Sequence, residues 1–353
     1  MIYNEDNSKG GLKMPKTSQR NIRRENIEAV FREIAAHDSV SRSEIAEKTG
    51  LSLMTVGKVA DLLCECGAAV QSKPATGRSG RRAGFLSISS SIISLVCDIS
   101  SDPMTAYIVD LKGDSVAREV RDYNYRKSPQ DNLTEFFSQV SVLLLNNLRD
   151  RVLMGSAIIY SGEYNRTSGE LLLPFTRLGL TVDPVLCMKN TMGITPDIVE
   201  NAVSCAVRSR RVAVGDGLYL AFDVGFKVTG CIVHDGEIIS SEGNLDFSSI
   251  MVGDESLDEA LRHAKDDTAL SDVICRALGD FCRILKPAGV YVWSKFIPVG
   301  DRFQQTLTRE FRCEVKAAVD GAMARVVGGA DDICKKWIEK NIFGADNSDN
   351  FNL

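Results

Sequence analysis

Residues 41–67 read SRSEIAEKTGLSLMTVGKVADLLCECG. Ser41 and Glu44 stand at the spacing of a capping box, in which each side chain covers an orphan amide of the first turn, so a helix is predicted from Arg42. Ile45 and Ala46 supply its inner face. Gly50 ends it, because glycine takes positive φ without steric cost, and Leu51 plugs the corner that follows. Ser52 caps a second helix in which Val56, Val59, Ala60 and Leu63 recur at the spacing of one buried face, leaving Met54, Thr55, Lys58 and Asp61 outward. Two short helices around a tight turn are the layout of a helix-turn-helix, whose second helix offers its N-terminal side chains to the DNA major groove. The same pattern occurs in helical domains with no such task, so the flanking sequence decides.

After Gly67 comes the apolar run Ala68 to Val70, then a basic, glycine-containing stretch, then the strand-like Phe85-Leu86-Ser87-Ile88. Residues 73–82 carry four cations, Lys73, Arg78, Arg81 and Arg82, and no acid. Two strands joined by such a loop make a wing, and Arg78, Arg81 and Arg82 are the predicted phosphate or minor-groove contacts beside Ser52, Met54, Thr55 and Lys58 on the helix. The charge distribution agrees. The chain carries −5 overall, yet residues 20–90 hold eleven Lys or Arg against eight Asp or Glu, while residues 91–353 hold 28 against 37. A basic front on an acidic body suits a small DNA-reading module attached to a larger unit with another task.

The chain of 353 residues exceeds one typical domain. No apolar stretch approaches a membrane span and the N-terminus lacks a signal-peptide core, so a cytoplasmic protein with no membrane partner is expected. Ten scattered cysteines, several inside apolar patterns, read as reduced core residues; Cys64 and Cys66 have no partner pair nearby in sequence, so no metal is assigned.

Residues 1–19 are polar and predicted disordered. Asn21 to His37 is a first long helix with the apolar stripe Ile22, Ile27, Val30, Phe31 and Ile34. The winged module closes near residue 90. Beyond it lie strands at Ile92–Asp98, Ala106–Leu111 and Ser115–Val120, read as an antiparallel meander, then a helix over Leu133–Arg149 and a strand at Ala157–Tyr160. Helices are predicted over Thr195–Ser209, Ile274–Leu285, Asp301–Phe311 and Asp320–Glu339, and strands over Gly217–Val224, Lys227–His234 and Gly289–Trp293. The fold class is α/β: a winged helix-turn-helix over 20–90, then a body whose lobes span 91–195 and 196–353.

From about residue 20 to 340 the chain resembles the repressors of the ROK family (repressor, open reading frame, kinase), which join a winged helix-turn-helix to a two-lobed body of the ribonuclease H-like sugar-kinase, Hsp70 and actin fold. The resemblance is carried by residues 41–67, by GRSGRRAGFLSIS, by Val96-Cys97-Asp98-Ile99 with Tyr107 to Gly113, by Glu200-Asn201, by Leu220 to Glu237 and by Leu285-Lys286-Pro287. The departures fall on the catalytic parts. Where kinases of this fold turn the first phosphate hairpin with Gly-Gly-Thr, this chain has Ser100-Ser101-Asp102-Pro103, in which proline lacks an amide and Asp102 repels phosphate. The second phosphate loop reads Gly225-Phe226-Lys227; Phe226 crowds a triphosphate, whereas Lys227 is a candidate for a smaller anion. The family's base is the Asp of Glu-Asn-Asp, and here Glu200-Asn201 is followed by Ala202, which accepts no proton. The family's zinc-binding His and Cys residues are missing where Glu242 to Ser249 stand.

The resemblance therefore implies a transcriptional regulator, a repressor of carbohydrate-related genes, that binds a double-stranded DNA operator as a homodimer or dimer of dimers. Its body is expected to be non-catalytic and without cofactor, and to take a sugar or sugar-derived effector. Effector-side candidates are Glu163 and Asn165, in the loop after the Ala157–Tyr160 strand, and Glu200 and Asn201. The alternative kept open is an ATP-dependent sugar kinase with an accessory DNA-binding domain.

Overall fold

Ser41 accepts the N–H of Glu44 at 3.2 Å while the Glu44 carboxylate takes the Ser41 N–H at 2.8 Å, so the capping box closes and a helix starts at Arg42. It ends at Gly50, whose φ of 70° lets its N–H return to the Ala46 carbonyl. The structure is a computed structural model that describes residues 19–72, 84–173, 180–209, 212, 215–224, 228–239, 245–247, 249–294, 301–317 and 321–343. The chain divides into two compact units, residues 1–89 and 90–353.

The first unit contains α1 (Gln19–Ala35), β1 (Val40–Ser41), α2 (Arg42–Thr49), α3 (Leu53–Glu65), β2 (Ala69–Ser72) and β3 (Phe85–Ile88). The strands form an antiparallel sheet with β3 between β1 and β2; β1 is too short to alternate and left no sequence signal. Ile27, Val30, Phe31, Ile34, Ile45, Val56, Ala60, Leu63 and Leu86 are buried together. Ile22, expected on the stripe of α1, is exposed: five residues before Ile27 is about 140° around the helix. Residues 73–83, with Arg78, Arg81 and Arg82, lie outside the described residues, as do residues 1–18 of the segment predicted disordered.

In the second unit, β4 (Ile92–Asp98), β5 (Met104–Asp110) and β6 (Ser115–Arg121) form the expected meander. Then come α4 (Pro129–Asn147), β7 (Val152–Tyr160), the short pair β8 (Leu171–Leu172) and β9 (Thr181–Val182), α5 (Pro184–Met192), β10 (Ile198–Asn201) and α6 (Ala202–Arg208). The sheet order is β10-β7-β4-β5-β6, with β7 and β10 added in parallel. The single helix predicted over Thr195–Ser209 is thus a strand followed by a helix, because Ile198 to Asn201 bond to the edge of β7 and Asn201 then caps α6. The first sheet accordingly runs past the expected lobe division at residue 195. Helix α4 starts four residues before the predicted Leu133, at Pro129, behind the Ser128 cap.

The chain continues with β11 (Leu218–Val224), β12 (Val228–His234), β13 (Glu237–Ile238), β14 (Leu245–Asp246), β15 (Met251–Val252), β16 (Glu255–Ser256), α7 (Leu257–His263), α8 (Asp267–Leu285), β17 (Gly289–Ser294), α9 (Asp301–Phe311), β18 (Glu314–Ala317) and α10 (Gly321–Ile338). Helix α8 begins a full two turns before the predicted Ile274, because Asp266 caps it. The second sheet has the order β13-β12-β11-β17-β18, with β14 also paired antiparallel to β12. Apart from β14, both sheets follow one path: three antiparallel strands, then two parallel strands added beyond the first. Helices α6 and α10 lie between them. Ala202, Cys205, Val326 and Ala330 pack with Val96 and Ala157 of the first sheet, whereas Val203, Ala206 and Ala324 pack with Ala221, Cys231 and Trp293 of the second.

Candidate functional site

The outward face of α3 is held on a rigid frame. Val56, Val59, Ala60 and Leu63 are buried, and the Asp61 carboxylate accepts a 2.6 Å hydrogen bond from Arg42, which also reaches Gln71, so α2, α3 and β2 share one guanidinium. Met54 is 72% exposed, and Leu53, which the sequence did not single out, is 58% exposed; Lys58 also faces solvent. Ser52 is spent on the cap: its Oγ accepts the Thr55 N–H at 3.1 Å and lies 2.9 Å from the Thr55 hydroxyl. Ser52 and Thr55 thus shape the helix start, and Leu53, Met54 and Lys58 are what it presents. No acidic residue sits in this first turn, so the positive end of the helix dipole is not neutralised there.

In the second unit, β10 brings Glu200 and Asn201 to one place, but Glu163 and Asn165 do not join them. Asn165 turns its own loop, its Oδ1 accepting the N–H groups of Thr167 and Ser168, and Glu163 stands exposed, its carbonyl accepting the Leu172 N–H. The loop residue that approaches Glu200 is Arg166, at 3.8 Å; Arg208 of α6 stands 3.5 Å away on the other side and also contacts Asp332 of α10 at 3.2 Å. Burial pushes the Asp332 carboxyl up, and Arg208 only partly opposes this. Asn201 is buried; its Oδ1 caps α6 by accepting the Val203 N–H, and its Nδ2 meets no partner among the described residues. A groove of about 320 Å³ beside this strand is lined by Tyr164, Arg166, Asp197, Glu200 and Lys336, a mixture of donors and acceptors. Arg166, Arg208 and Asp332 left no motif in the sequence because three separate elements supply them.

The first hairpin is closed on itself. Asp98, at the end of β4, accepts the Ser100 N–H at 3.0 Å and the Nε–H of Arg325 at 2.9 Å. Asp102 accepts the Tyr123 N–H at 2.9 Å and the Tyr125 hydroxyl at 2.8 Å, so its carboxylate braces the turn. The residues present do not fit a metal-bound nucleotide triphosphate: Asp98 is occupied by a cation of the chain itself, Pro103 offers no amide, and Ala202 is buried with no group to accept a proton. Gly225, Phe226 and Lys227 lie outside the described residues, as do Glu242 to Asn244. In the stretch where the family's zinc ligands were expected, Phe247 is core, edge-on to Phe222 and Phe281. Among the described residues no three His, Cys, Asp or Glu gather to hold a metal ion. Burial raises the Cys64 and Cys66 thiols above their ordinary range.

No protein-family model and no curated protein matches this sequence. Solved structures match in three dimensions. A ROK family transcriptional regulator, a homologue of the E. coli MLC protein, aligns over 92% of this chain and 99% of its own, with a TM-score of 0.64 and 13% identity. The inorganic polyphosphate/ATP-glucomannokinase of Arthrobacter sp. strain KM aligns over 69% of this chain and 99% of its own, with a TM-score of 0.55 and 17% identity. A ROK family glucokinase from Streptomyces griseus, solved with glucose and AMPPNP, aligns over 68% and 98%, with a TM-score of 0.53 and 14% identity. The mixed α/β fold is that of ROK proteins, and at these identities the likeness speaks to fold. No helix among the described residues is long and apolar enough to cross a membrane.

Proposed function

We propose that this chain is a DNA-binding transcriptional regulator of the ROK family, a winged helix-turn-helix joined to a body that transfers no phosphate. One observation carries the reading: α3 holds Leu53, Met54 and Lys58 outward on a capped, salt-bridged frame, at a helix start with no acid in its first turn. The comparison is in keeping with it, since the regulator aligns over 92% of the chain and the glucokinase over 68%. Leu53 and Met54 are placed for apolar contact with base edges, Lys58 for phosphate, and the cations of residues 73–82 add sequence-independent affinity. Two such heads act together on half-sites about one helical turn apart, which calls for a homodimer or dimer of dimers. The effector is a hydroxyl-rich small molecule, a sugar or its derivative, received in the groove that Glu200 lines with Tyr164, Arg166, Asp197 and Lys336.

The test is retention of duplex oligonucleotides from a random pool by the full chain, followed across a salt series. The native chain selects a sequence and its affinity falls steeply with salt. Lys58→Ala folds as the native chain does, binds more weakly across all sequences, and has a salt slope smaller by about one. Failure of the native chain to retain any duplex at low salt overturns the proposal. The second reading, a sugar kinase, is met by a coupled assay with ATP over a sugar panel, in which turnover refutes the non-catalytic body.

A further inference from the structure

In the first sheet of the body β6 is the last strand: β5 lies on one side of it, and among the described residues no strand lies on the other. Arg118-Glu119-Val120-Arg121-Asp122 runs along this open edge, Asp122 directly after the strand. Side chains alternate across a sheet, so Arg118, Val120 and Asp122 share one face, and all three are exposed, Val120 at 45%. Glu119 and Arg121 share the other face, that of α4, where Arg121 pairs with Glu135 and Lys127 reaches the same carboxylate. Arg118, Glu119 and Asp122 have no ionic partner among the described residues.

Charges usually guard an open edge, because an identical strand brings like charges together. Here one register does the reverse. Laid antiparallel on its own copy about a two-fold axis at Val120, the segment sets Arg118 opposite Asp122, Glu119 opposite Arg121 and Val120 opposite itself. Centring on any other of the five residues sets a charge against itself. The flank agrees: Val142, two turns along α4 from Glu135 and so on the same stripe of the helix, is 58% exposed, and Leu145 is 66% exposed. A two-fold axis perpendicular to the sheet keeps both copies of α4 on one face, beside the seam.

We propose that β6 is the contact between two copies of this chain, each strand pairing with the other about Val120 to make one continuous sheet, five strands from each copy. The opposite-charge pairs fix the register and the apolar flank of α4 adds buried area. The inference deepens the homodimer part of the proposed function and rests on it.

The experiment measures the dissociation constant of the full chain's self-association by sedimentation equilibrium at low salt, with the thermal midpoint of the body as the check that each variant folds. The native chain is a dimer, or a tetramer that the single variants halve. Arg118→Asp sets an acid against Asp122 of the second copy, and Asp122→Arg sets a cation against its Arg118. Each weakens the contact about tenfold, since the axis repeats the clash, and leaves the midpoint unchanged. Combining Arg118→Asp with Asp122→Arg swaps the signs and returns the constant to within about threefold of native. A dimer formed elsewhere would feel only net charge, which the two single variants shift in opposite directions. A contact that either single variant leaves intact, or that the combination does not restore, overturns the inference and leaves a homodimer standing; a monomeric native chain overturns both. Duplex retention by the native chain reports on DNA binding alone.

Discussion

The front unit leaves side chains bare on one face, whereas the body pairs the acids of its first hairpin within the fold. On α3 the side chains at Leu53, Met54 and Lys58 are left facing water, and the ones that are paired, such as Ser52 with the Thr55 amide and Arg42 with Asp61, serve to hold that face still. In the body the acids of the first hairpin are used up inside the fold: Asp98 by Arg325, Asp102 by Tyr123 and Tyr125. A surface kept rigid and unsatisfied is prepared for a partner. A hairpin whose charges are matched internally is prepared to hold its own shape.

Glycines give the sharpest way to break this contrast. Gly328 of α10 presses so closely on α6 that an added Cβ would lie 1.7 Å from the Cys205 carbonyl oxygen. Gly328→Ala is expected to destabilise the body by about 3 kcal/mol or more, read as an earlier denaturant midpoint. A midpoint like the native one would mean the two central helices are not locked together. In the front unit the largest local effect belongs to the capping box. Ser41→Ala removes the acceptor for the Glu44 amide while its backbone N–H still meets the Glu44 carboxylate, and is expected to cost about 1 kcal/mol in the transition of the front unit alone. Loss from the body's transition instead would erase the distinction between the units.

Gly57 reverses the sign. It lies inside α3 with open space around its Cβ direction, so Gly57→Ala is expected to stabilise the front unit by about 0.5–1 kcal/mol. Helix content by circular dichroism and the thermal midpoint check it. The smallest effect is on pH. The Ser41 backbone N–H, then its hydroxyl, hold the Glu44 carboxyl below its ordinary 4.5. A lowered folded value means the stabilisation is present above 4.5 and fades as pH falls through the folded value. Acid titration below 4.5 is expected to loosen the start of α2; Ser41→Ala, which keeps the backbone N–H, is expected to weaken that dependence, and Glu44→Gln, which has no carboxyl to titrate, to remove it.

How much was readable in advance differs between the same two regions. Ser41, Glu44, Gly50 and Ser52 act on neighbours within one turn, and Val56, Val59, Ala60 and Leu63 repeat at a helical period, so order along the chain nearly equals order in space. The meander β4-β5-β6 was readable for the same reason. The strand β10 was not: Ile198 to Asn201 look helical beside Ala202 to Arg208, and extend because the edge of β7 is there to pair with them. Asn165 looked like a ligand residue and is a turn former, a use of asparagine that depends on two amides a couple of residues ahead.

The sequence by itself determined the capped two-helix head and its outward face, since each is a matter of residue type within a few positions. The tertiary structure alone decided which charges neutralise which. Arg325 meets Asp98, and Arg208 meets Asp332, across 227 and 124 positions, and no periodicity or motif encodes a contact whose partners are brought together only when two sheets close on the helices between them.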